Sequence, residues 1–322
     1  PVVLDSAGLA EWIGNRVVMV TGAGGSIGAE LCRQIAKFRP ARLVLFDISE
    51  AALYEIRTAL GDEFTQLPMV TVVGDVKHAA LVEDVLEREK PNVVFHAAAY
   101  KHVPLMEETN AWQAVRNNAY GTWVIARASV AAKVEKFVLV STDKAVNPTS
   151  VMGASKRLAE IVCQTLQGGG TAFVVVRFGN VFGSAGSVIP RFREQIARGG
   201  PVTVTHPDIT RYFMSLSEAT QLLLQAGLMG RSGEILVLDM GDPVRILDLA
   251  RDMIRLSGAD PDHIPIVFTG LRPGEKLYEE VLASEEATRS TPHPKLRVAG
   301  ARQASRDAVG QMIALCERDR AA

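Results

Sequence analysis

The stretch that decides the fold is RVVMVTGAGGSIG at residues 16–28. A run of apolar, mostly β-branched residues leads directly into closely spaced glycines and then into a helical pattern. Glycines at such a turn permit positive φ and let a phosphate approach the backbone, while the N-terminus of the helix supplies N–H donors. The order of strand, glycine-rich turn and helix therefore predicts the first unit of a dinucleotide-binding fold.

On the C-terminal side of this stretch, short apolar runs alternate with longer amphipathic ones. Such alternation is typical of a parallel sheet covered by helices, because strands buried on both faces are apolar throughout. The predicted strands are 16–21, 42–47, 69–73, 92–96, 136–141 and 172–178, and the predicted helices are 27–38, 50–60, 79–90, 112–132 and 151–166. The predicted fold class is α/β, with a doubly wound parallel sheet of the Rossmann type.

The rhythm of strand and helix changes near residue 180, after which glycine and proline become frequent. We expect a lead segment at 1–15 and a dinucleotide-binding domain at 16–180. Residues 181–300 are predicted to form a smaller substrate region, interleaved with the first domain through helices at 217–229 and 246–257 and a strand at 234–239. The remaining residues, 301–322, are predicted to form a C-terminal tail with one amphipathic helix.

The composition excludes several classes of protein. The 35 basic and 36 acidic side chains nearly cancel, which argues against recognition of nucleic acid through bulk charge. No apolar stretch reaches the roughly 18 residues of a spanning helix, so we expect no membrane contact by this chain. The three cysteines lack metal-binding spacing, which predicts no zinc site and no disulfide framework and favours the reducing cytoplasm.

The glycine-rich turn and the end of the second strand predict a cofactor site. Asp47 ends that strand about 20 residues after Gly28, where an acid bonds the adenosine ribose 2′-hydroxyl and disfavours a 2′-phosphate. We therefore expect NAD rather than NADP, although an acid capping the following helix is the alternative interpretation of Asp47. The turn residues predicted to bind this cofactor are Gly22, Gly25, Ser26, Ile27 and Gly28.

The ends of three further strands complete the predicted cofactor site. Asp75 follows the third strand, where its carboxylate either accepts from the adenine amino group or serves only the turn. Ala97 and Ala99 follow the fourth strand and leave room for a flat ring, whereas we interpret the neighbouring His96 as structural. Val76 and Ser141 are the remaining residues predicted to contact the cofactor.

A chemically rich triplet, Thr142-Asp143-Lys144, lies immediately beyond the fifth predicted strand. Ligands of open α/β sheets bind outside the carboxyl ends of the strands. A hydroxyl, a carboxylate and an ammonium in this position can bond a substrate hydroxyl, deliver a proton and remove one. The alternative is a capped loop with a solvated ion pair.

Lys156 follows Met152 by four residues, which places both on one face of a helix. Together with the glycine-rich turn and Ser141, this spacing resembles the extended short-chain dehydrogenase/reductase superfamily, whose helix carries YxxxK. The resemblance implies that Lys156 holds the nicotinamide ribose. Met152 stands where the superfamily has its acid/base tyrosine, and a thioether cannot transfer a proton usefully.

Several segments resemble one branch of that superfamily, the UDP-N-acetylglucosamine 4,6-dehydratases of bacterial polysaccharide and glycan biosynthesis, some of which carry Met for Tyr. These segments are AAAYKHVPLME at 97–107, STDKAVNP at 141–148, FGNV at 178–181, TRYFM at 210–214 and LRPGEK at 271–276. The resemblance implies tightly bound, recycled NAD. It also implies oxidation at sugar C4, loss of the C5 proton with the C6 hydroxyl, and hydride return to C6.

The same resemblance implies roles for individual residues. Asp143 would be the acid at the C6 hydroxyl, Lys144 the base at C5, and Thr142 the residue that positions the C4 hydroxyl. A diphosphate is well matched by arginine side chains. The residues that would contact the UDP-sugar are Lys101, Met152, Asn180, Arg211, Arg272 and Glu275.

Two other functions remain open from the sequence. A UDP-sugar 4-epimerase also oxidises C4, although it would require the tyrosine that Met152 replaces. A non-catalytic NAD-binding regulator would tolerate the methionine but would have no use for the Asp143-Lys144 pair. The resemblance further implies a homodimer or larger assembly through helices 112–132 and 151–166, and a cytoplasmic catalytic part of a longer, membrane-anchored protein.

Overall fold

The computed structural model describes residues 3–258, 263–283, 287–300 and 305–321. Its centre is a nine-stranded sheet with the strand order β14-β15-β11-β6-β5-β4-β1-β2-β3. These strands are β1 (Val17–Thr21), β2 (Arg42–Asp47), β3 (Met69–Val73), β4 (Val93–His96), β5 (Lys136–Val140), β6 (Ala172–Arg177), β11 (Ile235–Leu238), β14 (Thr288–Ser290) and β15 (Leu296–Ala299). Short strand pairs outside this sheet comprise β7 (Asn180–Val181), β8 (Val202–Val204), β9 (Thr210–Arg211), β10 (Phe213–Met214), β12 (Val244–Arg245) and β13 (Ile266–Phe268).

The strand order reverses between β1 and β4, which pair in parallel with Thr21 opposite His96. Strands β1 to β6 and β11 run parallel, and apart from the edge strand β3 their nearly continuous burial agrees with coverage of both faces by helices. The reversal of strand order creates the crevice in which open α/β sheets bind ligands. The predicted Rossmann fold is confirmed.

Helices cover both faces of the sheet and also build the region that follows it. They are α1 (Ser6–Ile13), α2 (Ser26–Ala36), α3 (Glu50–Glu63), α4 (Ala79–Glu89), α5 (Val103–Glu108), α6 (Ala111–Ala114), α7 (Gly121–Ala131), α8 (Val151–Thr165), α9 (Val188–Ala197), α10 (Leu216–Met229), α11 (Ile246–Leu256) and α12 (Arg306–Ala321). A π-helix spans Val115–Tyr120 and a 3₁₀ turn spans Asp143–Ala145.

The predicted helix at 112–132 is confirmed in extent, since α6, the π-helix and α7 follow one another without a break from residue 111 to 131, but its central segment is π-helical rather than α-helical. The π-helical turn directs two consecutive buried residues, Asn117 and Asn118, away from solvent. The Asn118 amide accepts from the Tyr100 N–H at 2.8 Å, donates to the Tyr100 carbonyl at 2.9 Å and donates to Ser155. The helix is therefore π-helical where Asn118 bonds the loop that contains Tyr100. Such π-helical turns are frequent near functional sites.

Both ends of the chain contain structure that the sequence patterns did not predict. The lead segment includes α1, whose Leu9 and Ile13 are fully buried in the core beside α10. Asp5 caps this helix by accepting from the Gly8 N–H. Near the other end, β15 pairs antiparallel with β11 and adds an unpredicted edge to the sheet.

Residues after 180 contribute to the main sheet as well as to a separate cluster. Strand β11 pairs with β6, and α10 packs against α2. A smaller core forms around Phe192, Val202 and Ile254, between α9, α11 and β8. The sheet therefore uses chain from both sides of the predicted boundary at 180, while the boundary itself stays a prediction.

A buried carboxylate ties the central strands to α8. Glu160 accepts from Ser141 Oγ at 2.7 Å and from two nitrogens of the buried Arg177 guanidinium, each at 2.7 Å. Arg157 adds a further bond at 2.8 Å. Burial alone would favour the neutral acid, but the hydrogen bonds and charge of Arg177 hold the pKa of Glu160 below its usual range.

Replacing this carboxylate tests its structural importance. Glu160→Gln should lower the free energy of unfolding by about 3 kcal/mol, because it removes the negative charge that the buried Arg177 guanidinium pairs with on α8. Urea denaturation followed by circular dichroism measures the change. Glu83→Gln, which breaks the half-exposed pair with Arg127, is the control and should cost less than about 1 kcal/mol. Equal losses in the two variants would contradict the assignment.

Candidate functional site

Three cavities follow one another along the carboxyl ends of the parallel strands. The glycine-loop cavity, of about 220 Å³, adjoins the central cavity, of about 280 Å³, and both are lined by Ala97, Ala99 and Tyr100. The arginine cavity, of about 120 Å³, shares Lys144 with the central one. An elongated ligand, or two ligands end to end, can therefore extend across the switch point of the sheet.

The glycine-loop cavity contains most of the predicted cofactor residues. The predicted residues that line it are Gly22, Gly25, Asp47, Asp75, Val76, Ala97 and Ala99. Gly22 has a φ of 68°, and a Cβ added there would lie 2.6 Å from the Ala98 nitrogen. Only glycine fits this turn without displacing the backbone of the adjacent strand end.

Gly28 lies in α2 and does not line a described cavity. A Cβ at this position would lie 2.0 Å from the Gly22 carbonyl oxygen, so its role is to let the helix approach the loop. Ser26 also lies outside the described cavities, and its hydroxyl accepts from the Ala185 N–H at 3.1 Å. Ile27, by contrast, lines the central cavity.

The carboxylate of Asp47 is bonded to the turn rather than capping the next helix. One oxygen accepts from the Gly24 N–H and the other from the Ser49 N–H, both at 2.9 Å. Ser49 itself caps α3 by accepting from Ala52. The capping interpretation of Asp47 is therefore wrong, and the carboxylate lies beside the glycine-rich turn, while its role at a ribose stays a prediction.

Asp75 has a local role in addition to its place in the cavity wall. Its carboxylate accepts from the Lys77 backbone N–H at 2.9 Å and pairs with the Lys77 ammonium at 2.8 Å. These are the bonds expected of a turn carboxylate. The two interpretations of Asp75 are thus compatible in this structure.

The central cavity brings together the triplet after β5. Lys144 Nζ donates to Asp143 Oδ1 at 2.9 Å and to Asn180 Oδ1 at 3.0 Å. The Thr142 hydroxyl donates to the same Asp143 oxygen at 2.9 Å. Thr142 and Lys144 line the cavity. Asp143 is fully buried, so the Asp143-Lys144 ion pair is not the solvated pair of the alternative interpretation.

Asp143 does not itself line a described cavity. Its second oxygen, Oδ2, is buried without a hydrogen-bond partner and would lie 3.1 Å from a Cβ added at Gly179. Gly179 does line the central cavity. The buried carboxyl therefore reaches the cavity through the Thr142 hydroxyl and the Lys144 ammonium that it binds.

Lys156 and Met152 on α8 also line the central cavity. Lys156 is buried, and its ammonium donates to the Val140 carbonyl at 2.6 Å. Burial lowers its pKa to about 8, although the Glu160 carboxylate opposes the shift. Met152 is 3% exposed and offers no acid or base, while the Ser141 hydroxyl, predicted to contact the cofactor, is bonded to Glu160.

His96 is structural, as its position at the strand end suggested. Its two ring nitrogens bond the hydroxyls of Thr21 and Thr122, at 2.6 Å and 3.0 Å. Burial lowers the pKa of His96 to about 3, with a further contribution from the Lys156 charge. The imidazole is therefore neutral at physiological pH and joins β1, β4 and α7.

The arginine cavity collects the remaining predicted residues. Arg211 and Arg272 line it together with Glu275, whose oxygens accept from the Arg272 N–H at 3.1 Å and lie 3.5 Å from Arg211. Lys101 instead lines the central cavity, where burial lowers the pKa of its ammonium. The guanidinium groups of Arg211 and Arg272 make the arginine cavity suitable for an anionic ligand.

The sequence patterns missed two residues that shape these cavities. Glu279 lines the arginine cavity, 3.9 Å from Lys144 and 4.0 Å from Arg211. Its closeness in sequence to the LRPGEK segment was the available signal. Asn118, which fixes the Tyr100 backbone in the wall, was signalled only by adjacent asparagines inside an apolar helical pattern.

Comparison with known proteins now identifies the family. The family model described as "Polysaccharide biosynthesis protein" matches residues 18–301. The chain belongs to this family. The expected resemblance to extended short-chain dehydrogenase/reductases of bacterial polysaccharide biosynthesis is thereby confirmed.

Curated relatives agree with this assignment. The chain is 52% identical over 289 residues to the capsular polysaccharide biosynthesis protein CapD of Staphylococcus aureus, covering 89% of this chain and 48% of the relative. It is 49% identical over 300 residues to the probable polysaccharide biosynthesis protein EpsC of Bacillus subtilis, covering 92% and 50%. The chain spans about half the length of these relatives.

Solved structures share the fold across most of the chain. Pen from Bacillus thuringiensis superposes with a TM-score of 0.83 at 32% identity, covering 91% of each chain. DesIV, a dTDP-glucose 4,6-dehydratase from Streptomyces venezuelae described with NAD bound, gives 0.73 at 23% identity, covering 82% of this chain and 87% of DesIV. At that identity DesIV supports the Rossmann fold alone.

Two further expectations concern the surface of the protein. In the described ranges, no helix combines the length and apolar character needed to span a bilayer. The expected interface helices are partly covered within the chain, since α12 packs on α8 and on the π-helix through Met312 and Cys316. The expected homodimer stays a prediction.

The depressed pKa of Lys156 predicts a pH-dependent stability. Between about pH 8 and 10 the unfolded chain binds the Lys156 proton and the folded chain does not. As the pH increases through this range, the free energy of unfolding of the wild-type protein should therefore rise relative to that of Lys156→Met. The expected rise is up to about 1 kcal/mol per pH unit. Denaturation series at pH 7, 8, 9 and 10 measure the difference. The exposed-residue control, Lys37→Met, should show no such trend, and a flat Lys156→Met difference would refute the shift.

Proposed function

We propose that this chain is an NAD-dependent nucleotide-sugar 4,6-dehydratase that converts UDP-N-acetylglucosamine to a UDP-4-keto-6-deoxy-hexosamine for polysaccharide biosynthesis. The observation that carries this proposal is the Thr142-Asp143-Lys144 constellation, whose Thr142 and Lys144 line the central cavity together with a buried Met152. A site with an ammonium, a buried carboxyl and a hydroxyl has the proton-transferring groups that dehydration needs. The tyrosine of the superfamily's YxxxK motif is not among these groups, because Met152 occupies its position.

The glycine-loop cavity fits NAD. Gly22 and Gly25 line this cavity with backbone alone, and α2 begins directly beyond them, so its N-terminal N–H groups would face a phosphate. Asp47 would bond the adenosine ribose, and Lys156 the nicotinamide ribose. When bound, NAD would supply a reversible hydride acceptor next to the sugar.

The arginine cavity and the central cavity divide the proposed substrate between them. Arg211 and Arg272 would bind the diphosphate, Asn180 would add a side-chain amide, and Glu275 would accept from the uridine ribose. The sugar would then lie in the central cavity near Lys101. Lys144 lies on both cavities, so the same cation faces the sugar and the route to the diphosphate.

Proton transfer would rest on three residues. Thr142 would position the C4 hydroxyl, because its own hydroxyl is held by Asp143 at 2.9 Å. Lys144 would remove the C5 proton once its ammonium has passed a proton to Asp143, whose oxygen lies 2.9 Å away. The carboxylic acid formed in this way would protonate the departing C6 hydroxyl, through Thr142 where it does not reach directly.

Met152 favours dehydration over the epimerase alternative. A positioned acid or base is worth roughly 10²–10⁴-fold in rate, and a thioether supplies neither. Its burial against the cavity wall is consistent with a space-filling role. The proposal also includes a nucleotide-sugar substrate, a cytoplasmic location and a homodimer. The chain spans about half the length of its curated relatives CapD and EpsC.

The first test is the mass of the product. Incubation of purified protein with UDP-N-acetylglucosamine, without added cofactor, should yield a nucleotide sugar lighter by one water, because tightly held NAD would be recycled. Mass spectrometry measures this loss, and a parallel reaction with added NAD controls for cofactor lost in purification. An unchanged mass with a new epimer in NMR spectra would favour the 4-epimerase, whereas no reaction in either sample would contradict the proposal.

The second test separates charge from base catalysis at Lys144. Lys144→Ala should lower kcat by roughly 10²–10⁴-fold and should abolish deuterium incorporation at sugar C5 in D₂O. Lys144→Arg keeps the positive charge beside Asp143 but cannot act as a neutral base. It should therefore be as inactive as the alanine variant while binding UDP more tightly than that variant. Near-wild-type exchange at C5 in either variant would remove Lys144 from the role of base.

A further inference from the structure

Glu279 is a buried carboxyl that no role proposed above uses. Its side chain is 4% exposed, and its Oε2 atom is buried without a hydrogen-bond partner. The other oxygen lies 3.9 Å from Lys144 Nζ and 4.0 Å from Arg211 Nε, which are distances at the outer limit of an ion pair. A buried carboxylate with an unpartnered oxygen and only distant cations is poorly stabilised.

The groups that face Glu279 come from three parts of the chain. Asp143 and Lys144 belong to the turn after β5, Arg211 belongs to β9, and Lys276 belongs to the segment that leads to Glu279 itself. Burial raises the pKa of Glu279 above its usual range, and the Asp143 charge adds to this effect. The cations Lys144, Arg211 and Lys276 oppose it. The charge of Glu279 therefore depends on how many of these cations remain available.

A diphosphate in the arginine cavity would remove that compensation. Arg211 and Arg272 are the cavity's guanidinium groups, and a bound diphosphate would take their hydrogen bonds and add negative charge beside Glu279. A like charge in a buried site disfavours the ionised form of a carboxyl. The unpartnered Oε2 atom is where the proton would bind, since no donor occupies it.

We propose that Glu279 takes up a proton when the diphosphate of a nucleoside diphosphate binds in the arginine cavity. This inference rests on the nucleotide site of the proposed function but not on dehydration. In the free protein the Glu279 carboxylate shares Arg211 and Lys144. In the complex the neutral acid leaves Arg211 to the diphosphate and Lys144 to Asp143.

Calorimetric titration with UDP tests the inference. Titrations in two buffers of different ionisation enthalpy, repeated from pH 5.5 to 8.5, give the number of protons taken up per UDP bound. Wild-type protein should take up as much as one proton more than Glu279→Gln within this range. As the pH increases, the Kd of the wild-type protein for UDP should rise relative to that of Glu279→Gln. The rise should reach up to tenfold per pH unit at the pH where the two proteins differ most in proton uptake. The titration of UDP itself is common to both proteins and cancels.

Two further variants make the comparison specific. Glu280→Gln removes the adjacent, exposed carboxylate that accepts from Asn147 and should keep the wild-type proton count. Glu279→Asp keeps an ionisable carboxyl and should restore part of the uptake. Thermal unfolding verifies that each variant folds, and Glu279→Ala replaces Glu279→Gln if the latter does not.

Each outcome decides the matter. A proton count lowered in Glu279→Gln alone supports the inference. Equal counts in wild type and Glu279→Gln at every pH, or an equal decrease in Glu280→Gln, would overturn it while leaving the proposed dehydratase intact. Failure of the wild-type protein to bind UDP would overturn both this inference and the nucleotide site, whereas a missing dehydration product with normal proton uptake would contradict only the proposed reaction.

Discussion

The buried bonds of Glu160 are the constraint on which the candidate site depends. This single carboxylate on α8 holds Ser141 at the end of β5 and Arg177 at the end of β6. The triplet that follows Ser141 and the helix that carries Lys156 are therefore fixed relative to each other by charge-assisted bonds inside the protein, where they are stronger than in water. Strands β5 and β6 lie side by side, and the ion pair between Glu160 and Arg177 fixes the position of α8 relative to them.

The three cavities differ in the kind of interaction that they offer. The glycine-loop cavity offers backbone and two carboxylates, the central cavity offers hydroxyls and ammonium groups, and the arginine cavity offers guanidinium groups. Lys144 lies where the last two meet and is the only lining residue that they share in the described part of the chain. Its contacts with Asp143, Asn180 and Glu279 show how a cation at such a junction is balanced by neighbouring oxygens rather than by solvent.

The fold itself does not choose among the reactions that relatives of this kind perform. DesIV, which is named for 4,6-dehydration, shares the Rossmann fold of this chain at 23% identity, and a shared fold alone does not name a reaction. What distinguishes such enzymes is the set of proton-transferring groups placed on a common frame. In this chain Met152 lacks such a group, and the buried Asp143 with its two bound neighbours is the group that the proposed function uses.

Sequence patterns were enough to predict the frame of the protein. Strands β1 to β6 and the glycine-rich turn were predictable because buried parallel strands and phosphate loops impose local patterns of apolar and glycine residues. Local patterns also brought Thr142, Asp143 and Lys144 to the correct edge of the sheet. Only the tertiary structure decided that α1 packs in the core, that β15 extends the sheet, and that a π-helix interrupts the long helix. It also decided that Glu279 approaches Lys144, because that contact joins distant parts of the chain through packing rather than through any periodic pattern.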